Sequence, residues 1–566
     1  MKFFQSLTEI LDSIPVPLLE FLMAAAMLIL SMVFCNRPKI SSWADHIFAK
    51  GSARPKTMLL GVFLFALLLH AAVFPFIPER HPSVHDEFSY LLAADTFLNG
   101  RLSNPTHPLW EHFEAIHVLS RPTYSSMYPP MQGLILAGGK LLTGRYLAGP
   151  WISTAILSAL LYWMLLGWVS HKWALIGAFV STLRIGLFSY WANSYWGGAH
   201  AAIGGMLVLG IVPRFVNNPK RRHALLAGLG LLILANSRPF EGLFFALACA
   251  VLLVLKIRKN SSASFKKPAL FAGPMLLVVL IPGFVATSYY YRQVTGKWTQ
   301  MPQRENMTHY GHAVLPWDSM RAERIPESEH LRTFYKEQRQ YFMESRTLWG
   351  FVKTRIMACR SFWNFYVGSI LALPLLFFIT QWKNYKHLFL AGLIFVLSLA
   401  VNPWFFPHYV APAYGLYWLA AVIGMHTMFM WRPQGETSVP LRFYARMIPL
   451  CAGILVVFNA WSIGSGRSQP KAGGDYSPAW HYTGPGNTAR ASFIAKLERL
   501  GGKHLVLVNY GQDYDALIDW VYNNANIDKS PIVFAHSLGD LRDRRLLQYY
   551  KDRNVRRVRL GNDDSK

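Results

Sequence analysis

TMLLGVFLFALLLHAAVFPFI (Thr57–Ile77) runs almost directly into HPSVHDEFSYLLAADTFLNGRL (His81–Leu102). The first stretch is long and apolar enough to cross a bilayer core. The second opens with two adjacent carboxylates, Asp86 and Glu87. An acid pair just beyond a hydrophobic span, at the start of a long loop, points to chemistry at the membrane surface.

Working outward, the same apolar texture recurs along the chain. Hydrophobic residues make up 52% and charged residues 15% of the 566 positions, which excludes a string of soluble domains. The expected fold class is an α-helical polytopic membrane protein with a small extracytoplasmic α/β C-terminal domain. About twelve spans are expected by length, at roughly 17–35, 57–77, 148–168, 172–190, 198–213, 224–236, 241–256, 268–289, 361–380, 387–402, 408–430 and 446–464. The pieces at 224–256 read as a re-entrant hairpin or as two tilted helices. No small-residue cleavage site follows the first apolar run, so it reads as a retained span.

The net charge of +26 would suggest nucleic acid in a soluble protein. Here the bases concentrate in PRFVNNPKRR, KIRKNSSASFKK, QWKNYKH, WRPQGETSVPLRFYAR and NRPKISSWADHIFAKGSARPK, all on one side if the spans alternate. That is the positive-inside pattern, and no nucleic-acid partner is expected. The loops 78–147, 190–198, 237–242, 290–360 and 402–408 then share the extracytoplasmic side with the tail from Ser465. Three regions follow: an N-terminal span and basic loop (1–56), a transmembrane domain (57–464) and an α/β tail (465–566). The tail is expected to hold a helix near Ala489–Leu500, strands HLVLVNY and SPIVFAHS, and a charged helix LRDRRLLQYYKDR. The four cysteines lie in or beside apolar segments without close pairing, as small core residues do.

Several residues carry candidate chemistry. Ser83 and Asp86 fit a capping box, with Ser83 as N-cap and Asp86 reaching back. A cap can hold one acid while its neighbour projects into a site, so both readings stand. Phe88, Leu91 and Leu92 form a face that suits the membrane surface. Tyr128-Pro129-Pro130 is a rigid turn with Pro130 placed to start a helix. The aromatic stretch FSYWANSYWGGAH (Phe188–His200) is either an interfacial belt or a platform for a sugar or head group, with Asn193 and His200 as polar contacts. Arg184 lies inside an apolar span, where a charge faces a cavity, a partner or the surface. Arg238 lies at similar depth with Glu241 nearby, and Arg292, Lys297 and Arg304 add positive charge suited to a phosphate. His85, His107, His112 and His117 could form a metal site with the acids, but they match no specific ligand spacing and read rather as scattered surface histidines.

Taken together, the pattern resembles the GT-C glycosyltransferases, most closely the protein O-mannosyltransferase and aminoarabinose transferase group. HDEFSYLLAADTFLNGRL resembles the acid pair and amphipathic jaw helix. YPPMQGLIL is similar to the Pro-Pro turn, and NPWFFPHYVAPAYGLYWLA (Asn402–Ala420) to the aromatic entry of a late span. The resemblance covers roughly 57–430. It implies a sugar donor on a polyprenyl phosphate in the membrane, an acceptor of unknown class and an inverting displacement. Asp86 matches the family's catalytic acid and would be the general base, with Glu87 orienting the acceptor or a metal. By charge and depth Arg184, Arg238 or Arg292 would hold the departing phosphate, and His408 and Tyr409 would line the donor cavity. A second acid is lacking in 190–198, so a divalent metal stays open as cofactor. No motif is assigned in 290–360. The absence of a retention signal at GNDDSK favours a bacterial plasma membrane. The main alternative is a transporter or flippase for a lipid-linked or anionic substrate, which would carry inverted repeats and a midplane site.

Overall fold

A computed structural model describes residues 15–33, 55–259, 266–432, 438–465, 478–482, 484–511 and 513–561. Among them, nine helices are long and apolar enough to cross a membrane: Val16–Val33, Pro55–Phe76, Ala148–Leu165, Ala199–Asn217, Pro239–Lys259, Leu270–Thr295, Leu348–Thr380, Ala411–Met430 and Val439–Gly464. The segments expected at 172–190, 224–236 and 387–402 are helical but shorter, with helices His171–Ser181, Arg221–Ala235 and Lys386–Val401. The region 224–256 is two helices, Arg221–Ala235 and Pro239–Lys259, joined by a short turn. The span expected at 361–380 is the second half of a longer helix that starts at Leu348 and passes through a π-turn at Trp363–Val367. The N-terminal 14 residues, most of the basic loop 36–56 and most of the Gly/Ser/Pro linker lie outside the described residues.

Burial sorts the helices. Ala148–Leu165, Ala199–Asn217 and Ala411–Met430 are central, and Trp418, Tyr162 and Tyr414 are fully buried there. Leu270–Thr295 turns Leu277, Val278, Ile281, Phe284 and Val285 outward, the surface a lipid tail covers. Helices Ala199–Asn217 and Arg221–Ala235 cross through glycines. A Cβ on Gly204 would lie 2.9 Å from the Gly230 carbonyl, and one on Gly230 would lie 2.8 Å from that of Gly204. Small residues at a crossing let backbones approach, which is how helices associate where lipid removes the hydrophobic drive.

At one end of the bundle basic side chains rest on aromatic rings: Arg214 over Trp163 at 4.0 Å, Lys256 over Trp168 at 4.4 Å and Arg442 over Phe429 at 4.7 Å. At the other end the loops 78–147, 190–198, 237–242, 290–360 and 402–408 converge with the tail, as their pairing into one side anticipates.

Two small sheets lie at that second end. β1 (Asn104–Pro105), β3 (Thr123–Ser126) and β2 (Val118–Leu119) form an antiparallel sheet in the order β1-β3-β2. In the tail, β4 (His504–Tyr510), β5 (Ile532–His536) and β6 (Asn554–Leu560) are parallel in the order β5-β4-β6. Helices Thr488–Leu500 and Asp540–Tyr549 accompany them. The strand β6 reads as NVRRVRL; its charge hides it from a hydrophobic pattern, and it is exposed along most of its length.

Arg184 has a structural partner. It sits in a π-turn, Thr182–Gly186, and its Nη1 donates to Glu20 Oε1 of the first helix at 2.8 Å, both side chains being buried. Trp480 of the tail covers the guanidinium at 4.6 Å. The expected phosphate role is therefore replaced by an intramembrane ion pair that locks the first helix to the bundle. Replacing either partner leaves a buried charge unpaired, at a cost of about 3–5 kcal/mol. Arg184→Ala and Glu20→Ala should each lower the unfolding midpoint markedly, and the doubly substituted protein should lose less than their sum in a thermal-melt cycle.

Candidate functional site

The helix His85–Leu98 begins one residue later than a cap at Ser83 would require; Val84 occupies the N-cap position. This shift exchanges the expected roles of the two acids. Glu87, not Asp86, reaches back. Its Oε2 accepts from the Ser83 backbone N–H at 2.8 Å, the Ser83 hydroxyl at 3.0 Å and the Val84 N–H at 3.3 Å. Arg80 pairs with Glu87 at 3.3 Å, and the Tyr195 N–H donates to Oε1 at 3.0 Å. Glu87 is fully buried, so its sequence-based role as orienter of an acceptor or metal gives way to a structural knot. It ties the helix start to the loop 190–198.

Asp86, one residue earlier, turns the other way. Its Oδ1 lies 2.7 Å from His117 Nδ1 and accepts from the Tyr128 hydroxyl, which is also 2.8 Å from His117 Nδ1. His85 Nε2 stands 3.7 Å from the same oxygen. The His85 and His117 rings meet edge to face at 4.4 Å, and Phe334 lies against both. His117 adopts φ +59°, a left-handed backbone unusual for a residue with a side chain. Its carbonyl accepts from the Ser89 hydroxyl at 2.7 Å and the Met127 N–H at 3.2 Å, which offsets the strain and fixes the ring at Asp86.

The electrostatics follow from this crowding. Burial alone would raise the Asp86 pKa. The neighbouring His85 and His117 and the hydrogen bonds from His117 and Tyr128 outweigh it and hold the carboxyl well below its usual range. Burial pushes His85 down to about 4 and His312 down to about 3. Burial and the adjacent Asp86 push the Tyr128 phenol up. At neutral pH Asp86 is thus a carboxylate, with the His85 and His312 imidazoles neutral and the Tyr128 phenol donating.

Tyr128 also borders a cavity of about 200 Å³. Tyr90, stacked on Tyr128 at 4.5 Å, forms part of its wall with Arg238, Tyr409, Met307 and Leu315. The Arg238 guanidinium lies 4.3 Å over the Tyr409 ring, and Glu241 lines the same wall. Burial would lower the Arg238 pKa, but Glu241 and the surrounding phenols outweigh it and raise it, so the guanidinium stays charged. Because helix Pro130–Thr143 begins at Pro130 as the Pro-Pro turn predicts, Tyr128 is fixed between Asp86 and this cavity.

The other expected residues distribute differently. Tyr409 lines the cavity, but His408 is buried behind it, with Nδ1 3.0 Å from the Tyr190 hydroxyl. Asn193 spends its amide on the Leu187 carbonyl at 2.7 Å and shapes its own loop. His200 is buried in the first turn of its helix, packed at Gly197 rather than on the cavity. Arg292 is exposed and stacks on Trp298 at 4.9 Å, away from the cavity wall. The four histidines of 85–117 are not a surface scatter. His85 and His117 meet at Asp86, whereas His107 pairs with Asp528 at 3.2 Å and His112 lies 2.8 Å from the His536 carbonyl.

The 290–360 region, without a sequence motif, supplies His312, Phe334 and the cavity wall. The tail covers the acid helix: Tyr522 stacks on Phe88 at 4.2 Å and Leu92 packs in the same cluster. The face expected to lie on the membrane is therefore covered by protein. His85, Asp86 and His117 each offer a ligand atom within 4.8 Å of the others, a group that could hold a metal ion.

No protein-family model and no curated protein matches the chain. Solved structures of the oligosaccharyltransferase from Archaeoglobus fulgidus do resemble it. The enzyme AglB in complex with an inhibitory peptide and a dolichol-phosphate aligns with a TM-score of 0.40 and 10% identity, over 80% of this chain and 62% of that one. The form tethered to an acceptor peptide with the NVT sequon gives 0.42 and 10%, over 83% and 63%. The complex with Zn and sulfate gives 0.41 and 11%, over 82% and 61%. The chain spans less than two thirds of the length of these proteins. At these values the functional reading rests on the residues above rather than on the superposition.

Proposed function

We propose that the chain is an inverting glycosyltransferase of GT-C type. It moves a sugar from a polyprenyl-phosphate donor to an acceptor at the extracytoplasmic face of a bacterial plasma membrane. The observation that carries this reading is the placement of Asp86. It is the acid of the pair turned away from the helix cap, and Tyr128, which donates to it, lines the same cavity as Arg238.

In the proposed reaction the acceptor hydroxyl attacks the anomeric carbon while Asp86 takes its proton. A carboxylate with lowered proton affinity does this as the new C–O bond forms, not beforehand. The bond from the anomeric carbon to the phosphate oxygen breaks, and the lipid phosphate leaves with the electron pair. Arg238 is the cation placed to meet that charge, and its planar fork suits a phosphate. Tyr128 and His117 orient the carboxylate. The apolar wall residues Met307 and Leu315 suit the lipid side of the donor.

Arg238→Ala tests the donor assignment. Transfer should fall by ~10²–10³-fold, the cost of losing one charge-stabilising donor. Arg238→Lys should restore only part, because an ammonium cannot form the bidentate contact. Arg292→Ala should leave transfer unchanged. Equal losses in Arg238→Ala and Arg292→Ala, read by steady-state transfer from a labelled donor, would remove Arg238 from this role.

A further inference from the structure

We propose that Tyr128 is a catalytic residue: it relays the acceptor's proton to Asp86, which the acceptor itself does not touch. The proposal deepens the glycosyltransferase reading and rests on it. The cavity wall holds Tyr128 but, among the described residues, neither Asp86 nor His117. Asp86 is 7% exposed, with His85, His117 and Tyr128 around its carboxylate. An acceptor hydroxyl in the cavity therefore meets a phenol first, and the carboxylate only through it. Tyr90 and Tyr409 share that wall, but the phenol that donates to Asp86 is Tyr128.

Tyr128 is held in one geometry. Its backbone N–H donates to the Ser126 hydroxyl at 3.1 Å, and Pro129-Pro130 fix the chain beyond it. The ring stacks on Tyr90 at 4.5 Å and meets His117 edge to face at 5.7 Å. His117 Nδ1 lies 2.7 Å from Asp86 Oδ1 and 2.8 Å from the phenol oxygen, so one imidazole aligns both ends of the hand-over. A group already in place needs no reorganisation at the moment of reaction.

The hand-over is concerted. Burial and the Asp86 charge push the phenol's proton affinity up, so a phenolate does not form as a separate species. As the acceptor oxygen bonds to the anomeric carbon, its O–H bond breaks and an O–H bond forms at Tyr128. In the same step the original O–H bond of Tyr128 breaks and one forms at Asp86 Oδ1. The bond from the anomeric carbon to the phosphate oxygen breaks, and its electron pair leaves with the lipid phosphate. The phenol ends as it began, and the carboxylate has gained the proton.

The test is single-turnover sugar release from labelled polyprenyl-phosphate sugars by the full-length protein in nanodiscs, in mixtures of light and heavy water. Tyr128→Phe keeps the ring on Tyr90 and should lower the rate ~10²–10⁴-fold with donor affinity unchanged, the range of one acid–base group. Adding Asp86→Asn to it should cost nothing further, because residues that act as a unit are not additive. The wild-type rate should fall along a curve as the deuterium fraction rises, since two protons move together. That measurement needs no variant, so it decides the matter even where Tyr128→Phe fails to fold. A straight line in the wild type overturns the relay. Additive losses in the doubly substituted protein overturn it too, and leave Tyr128 as a residue that only orients Asp86. Transfer that survives Tyr128→Phe but not Asp86→Asn removes the relay alone. A wild type that breaks no donor bond fails the glycosyltransferase reading itself, and the relay with it.

Discussion

Asp86→Asn should abolish measurable sugar transfer, a loss of ~10²–10⁴-fold or more, while the protein stays folded. The magnitude is that of a general base removed from a positioned reaction. The fold should survive because Asp86 makes no helix cap; the Ser83 and Val84 amides bond to Glu87 instead. An amide at position 86 still occupies the space and can meet Tyr128 and His117, so packing changes little. Comparison of single-turnover rates with circular dichroism separates the two effects. Transfer at the wild-type rate in Asp86→Asn would remove Asp86 as the base.

Glu87→Ala should behave in the opposite way. The fully buried Glu87 carboxylate meets Arg80, Ser83, Val84 and Tyr195, and Arg80 itself is 8% exposed. Removing it leaves a buried guanidinium without its anion, at about 3–5 kcal/mol. That is a large share of the ~5–15 kcal/mol by which a domain is ordinarily stable. The expected result is low yield and a melting transition displaced well downward. Glu87→Gln should recover part of the loss, since it can still accept from the Ser83 and Tyr195 amides. A Glu87→Ala protein that melts normally but transfers nothing would instead assign Glu87 to the chemistry. Adjacent acids thus separate cleanly: one substitution reads out in rate and the other in stability.

Most of the spans were legible because lipid demands long apolar helices, although nine rather than twelve of the described helices are long and apolar enough to cross. The acid pair was legible as a candidate site by its position after a span. Which acid does what was not. That depends on helix phase, and a one-residue shift of the N-cap from Ser83 to Val84 exchanges their directions. The partner of Arg184 was hidden because Glu20 belongs to a different span, and only packing brings the two together. The meeting of His117 with Asp86, and the place of His312 beside it, were hidden for the same reason. One reaches Asp86 through a left-handed backbone that sequence does not announce, the other from a loop without a motif. Arg238 and Tyr409 could be singled out in advance, the first as a costly charge at the end of a span, and both line one cavity. The tail was read as α/β from two apolar strands, yet its contact with the acid helix could not be. Tyr522 on Phe88 and the Ala525 amide on Asp95 at 2.7 Å join segments more than 400 residues apart.

The most direct test supplies the purified protein in nanodiscs with a panel of isotope-labelled polyprenyl-phosphate sugars and candidate acceptors, and follows the lipid and the sugar by mass spectrometry. The account predicts protein-dependent cleavage of the sugar–phosphate bond, with free polyprenyl phosphate and a glycosylated or hydrolysed product appearing together and the anomeric configuration inverted. Intact donor carried across a vesicle membrane by the protein, with no bond broken, would contradict it and identify a transporter.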